Sequence, residues 1–442
     1  MSSDALVGRF SIGDLIKAGA ISAHKDGNFG SLYPRIDDFG GDGFPLLTAK
    51  VVNGGRIDFD AAQKLRKEKA DRLPYGFIQA GDVLLSHNAT VGRVAVVPNF
   101  DGQALIGTSL TYFRLDKSRL LPRYLACFFE SRDFQNQLAS VMGLSTRNQV
   151  PITAQRLLEV EVPSLSVQRR ISEFVGALDD RITLLRETNV TLEAIAQALF
   201  KSWFVDFDSV RAKREGRAPE GLDEATAALF PDSFEESELR LVPKGWRVES
   251  LDRVADFING LALQKFPPET EDEWLPVIKI AQLRKGDVSG ADRASKNIKP
   301  EYIIRNGDVL FSWSGSLEVE VWCGGNGALN QHLFKVTSAQ FPKWFYFRWT
   351  RHHLVHFQQV AASKATTMGH IQRKHLTEAK ALVPPAAFIE AAGKVFTPLL
   401  DEWINNTLQA QTLATLRDTL LPRLISGQLR LPEAEAMVAE TT

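Results

Sequence analysis

The chain has 442 residues, of which 44% are hydrophobic and 24% charged, and its formal net charge at pH 7 is −1. This length suggests two or more domains, and this composition is typical of a soluble globular protein. The sequence has no apolar run near the roughly 18 residues that span a membrane and no N-terminal signal-peptide pattern. Two distant cysteines, Cys127 and Cys323, cannot form a disulfide framework. We therefore expect a cytoplasmic protein without a membrane partner.

The first block of the chain, residues 1–162, has mixed helix and strand patterns. Its clearest element is GDVLLSHNAT, from Gly81 to Thr90. Gly-Asp forms a turn, the apolar run that follows predicts a strand, and a polar cluster comes after it. Asp82 is a candidate catalytic carboxylate, but its place in a turn favours a role in backbone hydrogen bonding.

A long helix is predicted over residues 163–208. Its apolar positions step by three and four residues, which is the spacing of a coiled-coil seam. The seam consists of Ile171, Val175, Leu178, Ile182, Leu185, Asn189, Leu192, Ala196, Leu199 and Trp203. Asn189 either fixes the register of the helix or is an ordinary tolerated polar residue. At 1.5 Å per residue, such a helix is about 55 Å long.

Residues 209–242 are polar and acidic and predict a linker, after which residues 243–384 repeat the first block. GDVLFSWSGS, from Gly307 to Ser316, has the same turn and strand pattern as GDVLLSHNAT, and Asp308 takes the place of Asp82. The two copies differ just after the shared serine. A constant framework with a variable polar end suggests one fold that makes two different recognitions.

The ends of the two blocks also align. TRNQVPITAQRLLEVEVP in the first corresponds to TTMGHIQRKHLTEAKALVP in the second. This alignment pairs Ile152 with Ile371 and Leu157 with Leu376.

Residues 385–428 predict a second long helix, and residues 429–442 a C-terminal tail. The apolar positions of this helix include Phe396, Leu399, Trp403, Leu413, Leu416 and Leu420. Pro422 lacks the amide hydrogen of a helical hydrogen bond, so we expect it to kink or end the helix. The two long helices can bury their apolar stripes against each other as an antiparallel pair, or each can pack on its own domain. The first arrangement predicts an α+β fold in which two similar mixed α/β domains are joined and separated by two long antiparallel coiled-coil helices.

The sequence offers few candidates for catalysis or metal binding. It contains no GxxxxGK[ST] phosphate loop, no H-E-x-x-H or G-x-S-x-G motif and no paired metal-binding cysteines. His352 and His356 have a metal-capable spacing, but no acidic residue accompanies them, and an ordinary helix explains them more simply. We predict no catalytic residue, no metal site and no cofactor bound by this chain.

Polar side chains that can read DNA bases occur at corresponding places in the two blocks. Arginine suits guanine, and asparagine or glutamine suits adenine. An ordinary polar loop explains any one cluster, but the recurrence in both blocks favours DNA reading. The predicted DNA-binding residues are Ser86, His87, Asn88, Thr90, Arg93, Thr146, Arg147, Asn148 and Gln149 in the first block, and Ser312, Trp313, Ser314, Asn330, Gln331, His332, Thr366, Thr367, His370, Gln372, Arg373 and Lys374 in the second.

The net charge alternates along the chain between the globular blocks and the segments that contain the long helices. Residues 1–164 and 243–384 carry net charges of +2 and +5, whereas residues 165–242 and 385–442 carry −5 and −3. Mildly basic blocks could meet phosphates, and the acidic blocks are unsuited to that contact.

The organisation of the chain resembles the specificity subunit of type I restriction-modification enzymes. The residues that carry the resemblance are LLPRLISGQL (Leu420–Leu429), ALFKSWFVDF (Ala198–Phe207), PSLSVQRRISEFVGALDDRI (Pro163–Ile182), and FPDSFEESEL with VPKGW between Phe230 and Trp246. The match covers nearly the whole chain. It departs from the family pattern at Arg240-Leu241, where a glycine is expected, and at the start of the second helix, which has no counterpart of Gln168. Both departures concern the linker and the helices.

The resemblance implies two target recognition domains, residues 1–162 and 243–384, that each read one half of a bipartite site in double-stranded DNA. It also implies two methyltransferase (modification) subunits, which carry S-adenosylmethionine and methylate adenine, and restriction subunits that use ATP and Mg²⁺. This chain would then be a non-catalytic specificity subunit. The partner subunits would dock on the helices, for which we single out Leu178, Ile182, Leu185, Asn189, Trp403, Leu413 and Leu420.

Two other functions are compatible with parts of the sequence. The weak net charge allows a protein-interaction scaffold with duplicated peptide-binding domains, although long polar side chains suit base edges better. An enzyme with an unrecognised site is the third possibility. Steep weakening of DNA binding with salt would distinguish the first function from the second.

Overall fold

The computed structural model describes residues 6–143, 148–363 and 369–441. They divide into two compact units. The first unit contains residues 1–183 and 411–442, and the second contains residues 184–410. Each unit therefore includes one globular block and a part of each long helix.

The elements follow one another as a mixture of short strands and helices. Up to the first long helix, the strands are β1 (Gly8–Ser11), β2 (Ile21–Asp26), β3 (Phe39–Leu47), β4 (Val52–Asn53), β5 (Arg56–Ile57), β6 (Gln63–Leu65), β7 (Val83–Ser86), β8 (Val94–Val96), β9 (Leu105–Ile106), β10 (Leu110–Leu115) and β11 (Glu159–Val162). The helices are α1 (Ile12–Lys17), α2 (Lys67–Ala70), α3 (Pro122–Glu130), α4 (Arg132–Gly143), α5 (Ile152–Gln155) and the long α6 (Leu165–Lys201), which a π-helical turn (Ser202–Asp206) extends.

The rest of the chain continues in the same style. Its strands are β12 (Phe234–Ser237), β13 (Arg240–Pro243), β14 (Arg247–Ser250), β15 (Asp256–Asn259), β16 (Trp274–Ile278), β17 (Arg293–Ser295), β18 (Ile303–Ile304), β19 (Val309–Ser312), β20 (Val319–Val321), β21 (Gly327–Leu329), β22 (Leu333–Thr337) and β23 (Lys380–Val383). Its helices are α7 (Asp208–Arg214), α8 (Glu224–Ala228), α9 (Leu251–Val254), α10 (Ile280–Lys285), α11 (Lys343–His352), α12 (Leu354–Ser363), α13 (Arg373–Glu378), the long α14 (Ala386–Ile425) and α15 (Leu431–Thr441).

The two globular blocks have the same sheet topology. The first has a four-stranded sheet in the order β2-β10-β7-β8, and the second has one in the order β15-β22-β19-β20. In each block a smaller sheet contains a parallel pair, β3 with β9 and β16 with β21. The first and last strands also pair, β1 with β11 and β14 with β23. The predicted duplication is thus a duplication of fold, and the mixed α/β character of both domains is confirmed.

The two long helices pack together within each unit. In the first unit, Ile171 and Val175 of α6 share a core with Leu420 and Leu424 of α14. In the second unit, the other end of α6 shares a core with the start of α14, for example Trp203 with Phe396. The start of one helix lies against the end of the other in both places, so the pair is antiparallel, as the sequence predicts.

Three local predictions differ from the structure. α14 continues through Pro398 and Pro422 to Ile425, so Pro422 does not end the helix. Pro422 lies in the last turn, where only a few helical bonds remain to be lost, and its carbonyl still accepts a hydrogen bond from the Ser426 amide at 3.0 Å. The segment predicted as a linker contains α7, α8, β12 and most of β13, and it buries Val210 and Phe230. The segment predicted as a tail contains a further helix, α15.

Within the described residues, no helix is both long enough and apolar enough to cross a lipid bilayer. Cys127 and Cys323 are free thiols, and both are buried.

Candidate nucleic-acid interface

The repeated Gly-Asp turn anchors the same strand in both domains. Asp82 accepts a hydrogen bond from the Gln79 amide at 2.8 Å and pairs with Arg114 at 2.7 Å. Asp308 likewise accepts from the Arg305 amide at 2.8 Å and pairs with Lys335 at 2.7 Å. Both carboxylates therefore hold a turn to a neighbouring strand, as expected of aspartate in a turn.

The serine that follows the repeated strand closes the next loop. Ser86 and Ser312 are both fully buried. The Ser86 hydroxyl accepts a hydrogen bond from the Arg93 amide at 2.8 Å, and the Ser312 hydroxyl accepts one from the Glu318 amide at 2.7 Å. These two predicted DNA-binding residues thus have an internal role, because a side chain without exposed surface cannot reach a base edge.

In the first domain, the residues after Ser86 lie beside residues 148–150. The Val150 amide donates to the His87 carbonyl at 2.8 Å, and the Ala89 amide donates to the Asn148 carbonyl at 3.1 Å. Asn88 and Gln149 form an antiparallel bridge between these bonds. We call residues 86–90 with residues 148–150 the first tip.

The second domain has the same arrangement with different side chains. The Ile371 amide donates to the Trp313 carbonyl at 3.0 Å, the Gly315 amide donates to the Gly369 carbonyl at 2.9 Å, and Ser314 bridges His370. Residues 312–316 with residues 369–371 are the second tip. The backbones agree even at a left-handed position, where Ala89 has φ 63° and Gly315 has φ 67°. A left-handed alanine is strained, so the shared frame is imposed by the surrounding bonds.

This equivalence corrects one alignment made from the sequence. The two tips pair Val150, and not Ile152, with Ile371. The same shift pairs Gln155, and not Leu157, with Leu376, which agrees with burial because Leu157 is 78% exposed and Leu376 is 1% exposed. The sequence alignment followed similar apolar letters, whereas the structure places a buried glutamine where the second domain has a buried leucine.

The predicted DNA-binding residues divide by exposure. Ser86, His87, Ser312, Ser314 and Asn330 are buried. Their side chains bond within the domain: His87 with Thr111 at 2.9 Å, Ser314 with His332 at 3.0 Å, and Asn330 with the His332 amide at 3.2 Å. These five side chains are enclosed in their domains, so we no longer predict that they contact bases. We assign them a supporting role beneath the tips. Four others, Thr146, Arg147, Thr366 and Thr367, lie outside the described residues.

The remaining predicted residues reach the surface to different degrees. The exposed ones are Thr90, Asn148, His370, Gln372, Arg373 and Lys374, and the half-buried ones are Asn88, Arg93, Gln149, Trp313, Gln331 and His332. Some already have internal partners. Arg93 donates to the carbonyls of Ala49 and Val52 at 2.7 and 3.1 Å, and the Trp313 indole donates to Asn259 at 3.0 Å. For all of these residues, DNA contact stays a prediction.

Beside the second tip, Asn330, Gln331 and His332 line a cavity of about 700 Å³, with Lys279 and Arg293 among its other residues. Arg293 also lies over the Trp274 ring, 4.5 Å from its centroid. Asp292, which pairs with Lys279, also lines this cavity, so the groups there that suit a base edge or a phosphate are its amides and Arg293.

A buried polar chain beneath the first tip was not predicted from the sequence. It joins His24 to Gln155 at 3.1 Å, Gln155 to Thr111 at 3.0 Å and Thr111 to His87 at 2.9 Å. Burial lowers the pKa of His24 to about 4 and also lowers the pKa of His87, so both rings are neutral near pH 7. The sequence signal for this buried polar chain is that the first block has polar residues where the second block has apolar ones. This signal becomes visible only after the alignment of the two blocks is corrected.

The residues predicted to dock partner subunits lie in the seam between the helices. Leu178, Ile182, Leu185, Leu413 and Leu420 are buried, and Trp403 is half-buried. Asn189 is also buried and donates to the Trp403 carbonyl and the Thr407 hydroxyl, both at 2.9 Å. The six buried side chains are used within this chain, which leaves the half-buried Trp403 and more exposed residues for any docking surface on the helices.

The fold and the sequence can be compared with known proteins. Among solved structures, the crystal structure of a type I restriction-modification system S subunit from M. genitalium is similar to this chain, with a TM-score of 0.52 and 13% identity, over 96% of this chain and 97% of that one. This likeness concerns the fold.

Two curated proteins are similar in sequence over most of their length. The type I restriction enzyme MjaIX specificity subunit of Methanocaldococcus jannaschii is 24% identical over 411 residues, which cover 90% of each chain. The HindI specificity subunit of Haemophilus influenzae is 24% identical over 406 residues, which cover 80% of this chain and 87% of that one. Residues 16–194 match the model of the type I restriction modification DNA specificity domain. The chain therefore carries a type I restriction modification DNA specificity domain at residues 16–194 and is similar to type I restriction enzyme specificity subunits over most of its length.

Proposed function

We propose that this chain reads a bipartite DNA site, with one half recognised by each globular domain. The observation that carries the proposal is the pair of tips, in which the same backbone frame presents different side chains. Asn88 and Thr90 in the first tip take the places of Ser314 and Ser316 in the second. Since base recognition depends on the donors and acceptors presented to the groove, two such tips read two different half-sites.

The partners of the proposed complex are two modification subunits and the restriction subunits. S-adenosylmethionine belongs to the modification subunits, and ATP and Mg²⁺ belong to the restriction subunits. This chain contributes target choice and no catalytic group. We place the complex in the cytoplasm, where its DNA substrate is.

The modification subunits dock on the outward face of α6. Leu184, Val190 and Ile195 are 52%, 72% and 43% exposed on this helix, in contrast to the buried seam. Exposed apolar side chains mark a protein interface when they form one patch, and these three lie within about three turns on the side of α6 away from the seam. This surface replaces the seam residues as the proposed docking site.

The proposal is tested by binding of the chain, purified with its modification subunits, to DNA. Asn88→Ala and Gln331→Ala should each weaken binding to the target sequence, defined as the sequence that the complex methylates, by about 1–3 kcal/mol. Binding to non-specific DNA should stay the same. Asn405→Ala, which changes an exposed asparagine of α14, is the matched control and should have no effect. Binding that ignores DNA sequence, or that does not weaken as salt rises, contradicts DNA reading and favours a peptide-binding scaffold.

A further inference from the structure

A buried glutamine links the two strands of chain that form the first tip. Gln155 is fully buried, and its side-chain nitrogen donates to the Val150 carbonyl and to the Thr111 hydroxyl, both at 3.0 Å. Since a carbonyl only accepts, the nitrogen of the amide must face Val150. The amide oxygen then faces His24 Nε2 at 3.1 Å, so His24 carries its hydrogen on that nitrogen.

This orientation fixes the position of each hydrogen in the buried polar chain that runs from His24 to His87. The Thr111 hydroxyl accepts from Gln155, and among the described residues its own hydrogen has His87 Nδ1, at 2.9 Å, as acceptor. His87 is therefore neutral, with its hydrogen on Nε2. His24 is neutral too, and within the described part of the chain its buried Nδ1 has no hydrogen-bond partner. A chain with one consistent arrangement of hydrogens holds its members in one geometry.

This buried polar chain connects directly to both halves of the first tip. At one end, His87 bonds through its backbone to Ser109 at 3.0 Å and to Val150 at 2.8 Å. In the middle, Gln155 holds the carbonyl of that same Val150. Any shift of Gln155 therefore moves residues 148–150 relative to residues 87–89.

The second domain shows that the fold itself does not need these polar groups. Strand pairing places Phe257 at the position of His24 and Phe334 at that of Thr111. Leu376 takes the place of Gln155, and Trp313 that of His87. Aromatic packing fills the space there, with Phe257 and Trp313 rings 5.8 and 5.9 Å from the Phe334 ring. The same frame is thus held by hydrogen bonds in one domain and by apolar packing in the other.

We propose that Gln155 and Thr111 are positioning residues for DNA recognition by the first domain, which fix how Asn88, Thr90 and Asn148 are presented. This inference rests on the proposed function, because it assigns a role within the reading of one half-site. It adds two residues that face the interior and do not touch DNA. It also distinguishes the two half-sites, since the second tip lacks the buried polar chain of hydrogen bonds.

The test uses the chain in complex with its modification subunits and duplexes that carry the mapped site, with single-base substitutions in either half. Gln155→Leu should reduce discrimination against substitutions in one half by about tenfold, the equivalent of a lost buried hydrogen bond, and leave the other half unaffected. Thr111→Val should affect the same half, and Thr111→Ser, which keeps the hydroxyl, should restore it.

Gln168→Leu is the matched control. Gln168 is another fully buried glutamine of the first unit and bonds to the Leu121 amide and to two carbonyls. It lies away from the tip, so its loss should lower the thermal midpoint without changing discrimination in either half. If Gln155→Leu or Thr111→Val discriminates both halves as well as the control does, the positioning role is overturned. If the unaltered complex discriminates neither half, the proposed function fails as well.

Discussion

A histidine enclosed among aromatic and polar groups makes the first unit sensitive to acid. His24 stacks on Phe113 with ring centroids 4.6 Å apart, and burial lowers its pKa to about 4. The unfolded chain binds a proton near pH 6.5, but the folded chain does not until pH is near 4. His24 therefore costs no stability above about pH 6.5, and stability is lost progressively as pH falls from there towards 4.

We expect His24→Phe to reduce that acid sensitivity. Phenylalanine cannot bond to Gln155, so the variant should be less stable than the parent at pH 7.5. Between pH 7.5 and 5.5, however, it should lose less further stability than the parent, by on the order of 1 kcal/mol. Thermal unfolding at the two pH values measures the difference. His356→Phe, at an exposed position, is the control, and equal pH dependence in H24F and the parent would refute the assignment.

At the scale of single residues, the sequence predicts roles well when one local rule decides them. Asp82 and Asp308 follow the preference of turns for aspartate, and both bind backbone amides as expected. Burial is a tertiary property, and so the five enclosed members of the predicted DNA-binding set could not be separated from the exposed ones. Gln155 was missed for the same reason, since its letter alone does not show that it is fully buried.

The helix pair is the element whose packing is most clearly specified by its residues. Asn189 donates two hydrogen bonds towards α14, but its buried side-chain oxygen has no partner among the residues that the structure describes. Thr407 would keep a partner without it, because its hydroxyl also donates to the Trp403 carbonyl at 2.8 Å. We therefore expect that Asn189 costs stability and specifies which residues of the two helices meet.

We predict that Asn189→Leu stabilises the protein. The substitution removes an unsatisfied polar atom and leaves no new one, so the free energy of unfolding should rise by about 1 kcal/mol. Leu185→Ala, in the same seam, should lower it by about 2–5 kcal/mol. Denaturant unfolding measures both. A loss of more than 1 kcal/mol in N189L would show that the two hydrogen bonds outweigh the buried oxygen.

At the scale of elements, periodicity predicts the helices and fails at their borders. The three-and-four spacing locates α6 and its buried side, because a seam that runs from Ile171 to Trp203 averages over local exceptions. Prolines at positions 398 and 422 do not end α14, since packing against α6 outweighs the loss of single helical bonds. The acidic segment after α6 folds because a few apolar residues, Val210 and Phe230 among them, find a core.

The whole molecule combines duplicated domains with helices that contribute to both compact units. If the helices set the distance between the two half-sites, lengthening both should lengthen the unread spacer between them. Seven residues added after Thr183 and seven after Ala410 preserve the heptad spacing and add about 10 Å. This corresponds to about three base pairs at 3.4 Å each.

Mapping methylated sites in cells that express the lengthened chain measures the spacer. The control carries the insertion in α6 alone, which shifts the two seams against each other and should abolish methylation. An unchanged spacer in the doubly lengthened chain would show that the helices do not determine it.

This one chain is proposed to select a DNA target in two parts. The most direct measurement is a genome-wide map of methylated adenines in cells that express the modification subunits with or without this chain. We predict a single motif of two short defined halves around an undefined gap of fixed length, present only with the chain and changed in one half by Asn88→Ala with Thr90→Ala. Methylation that is independent of the chain, or a motif without two separated halves, would contradict this proposal.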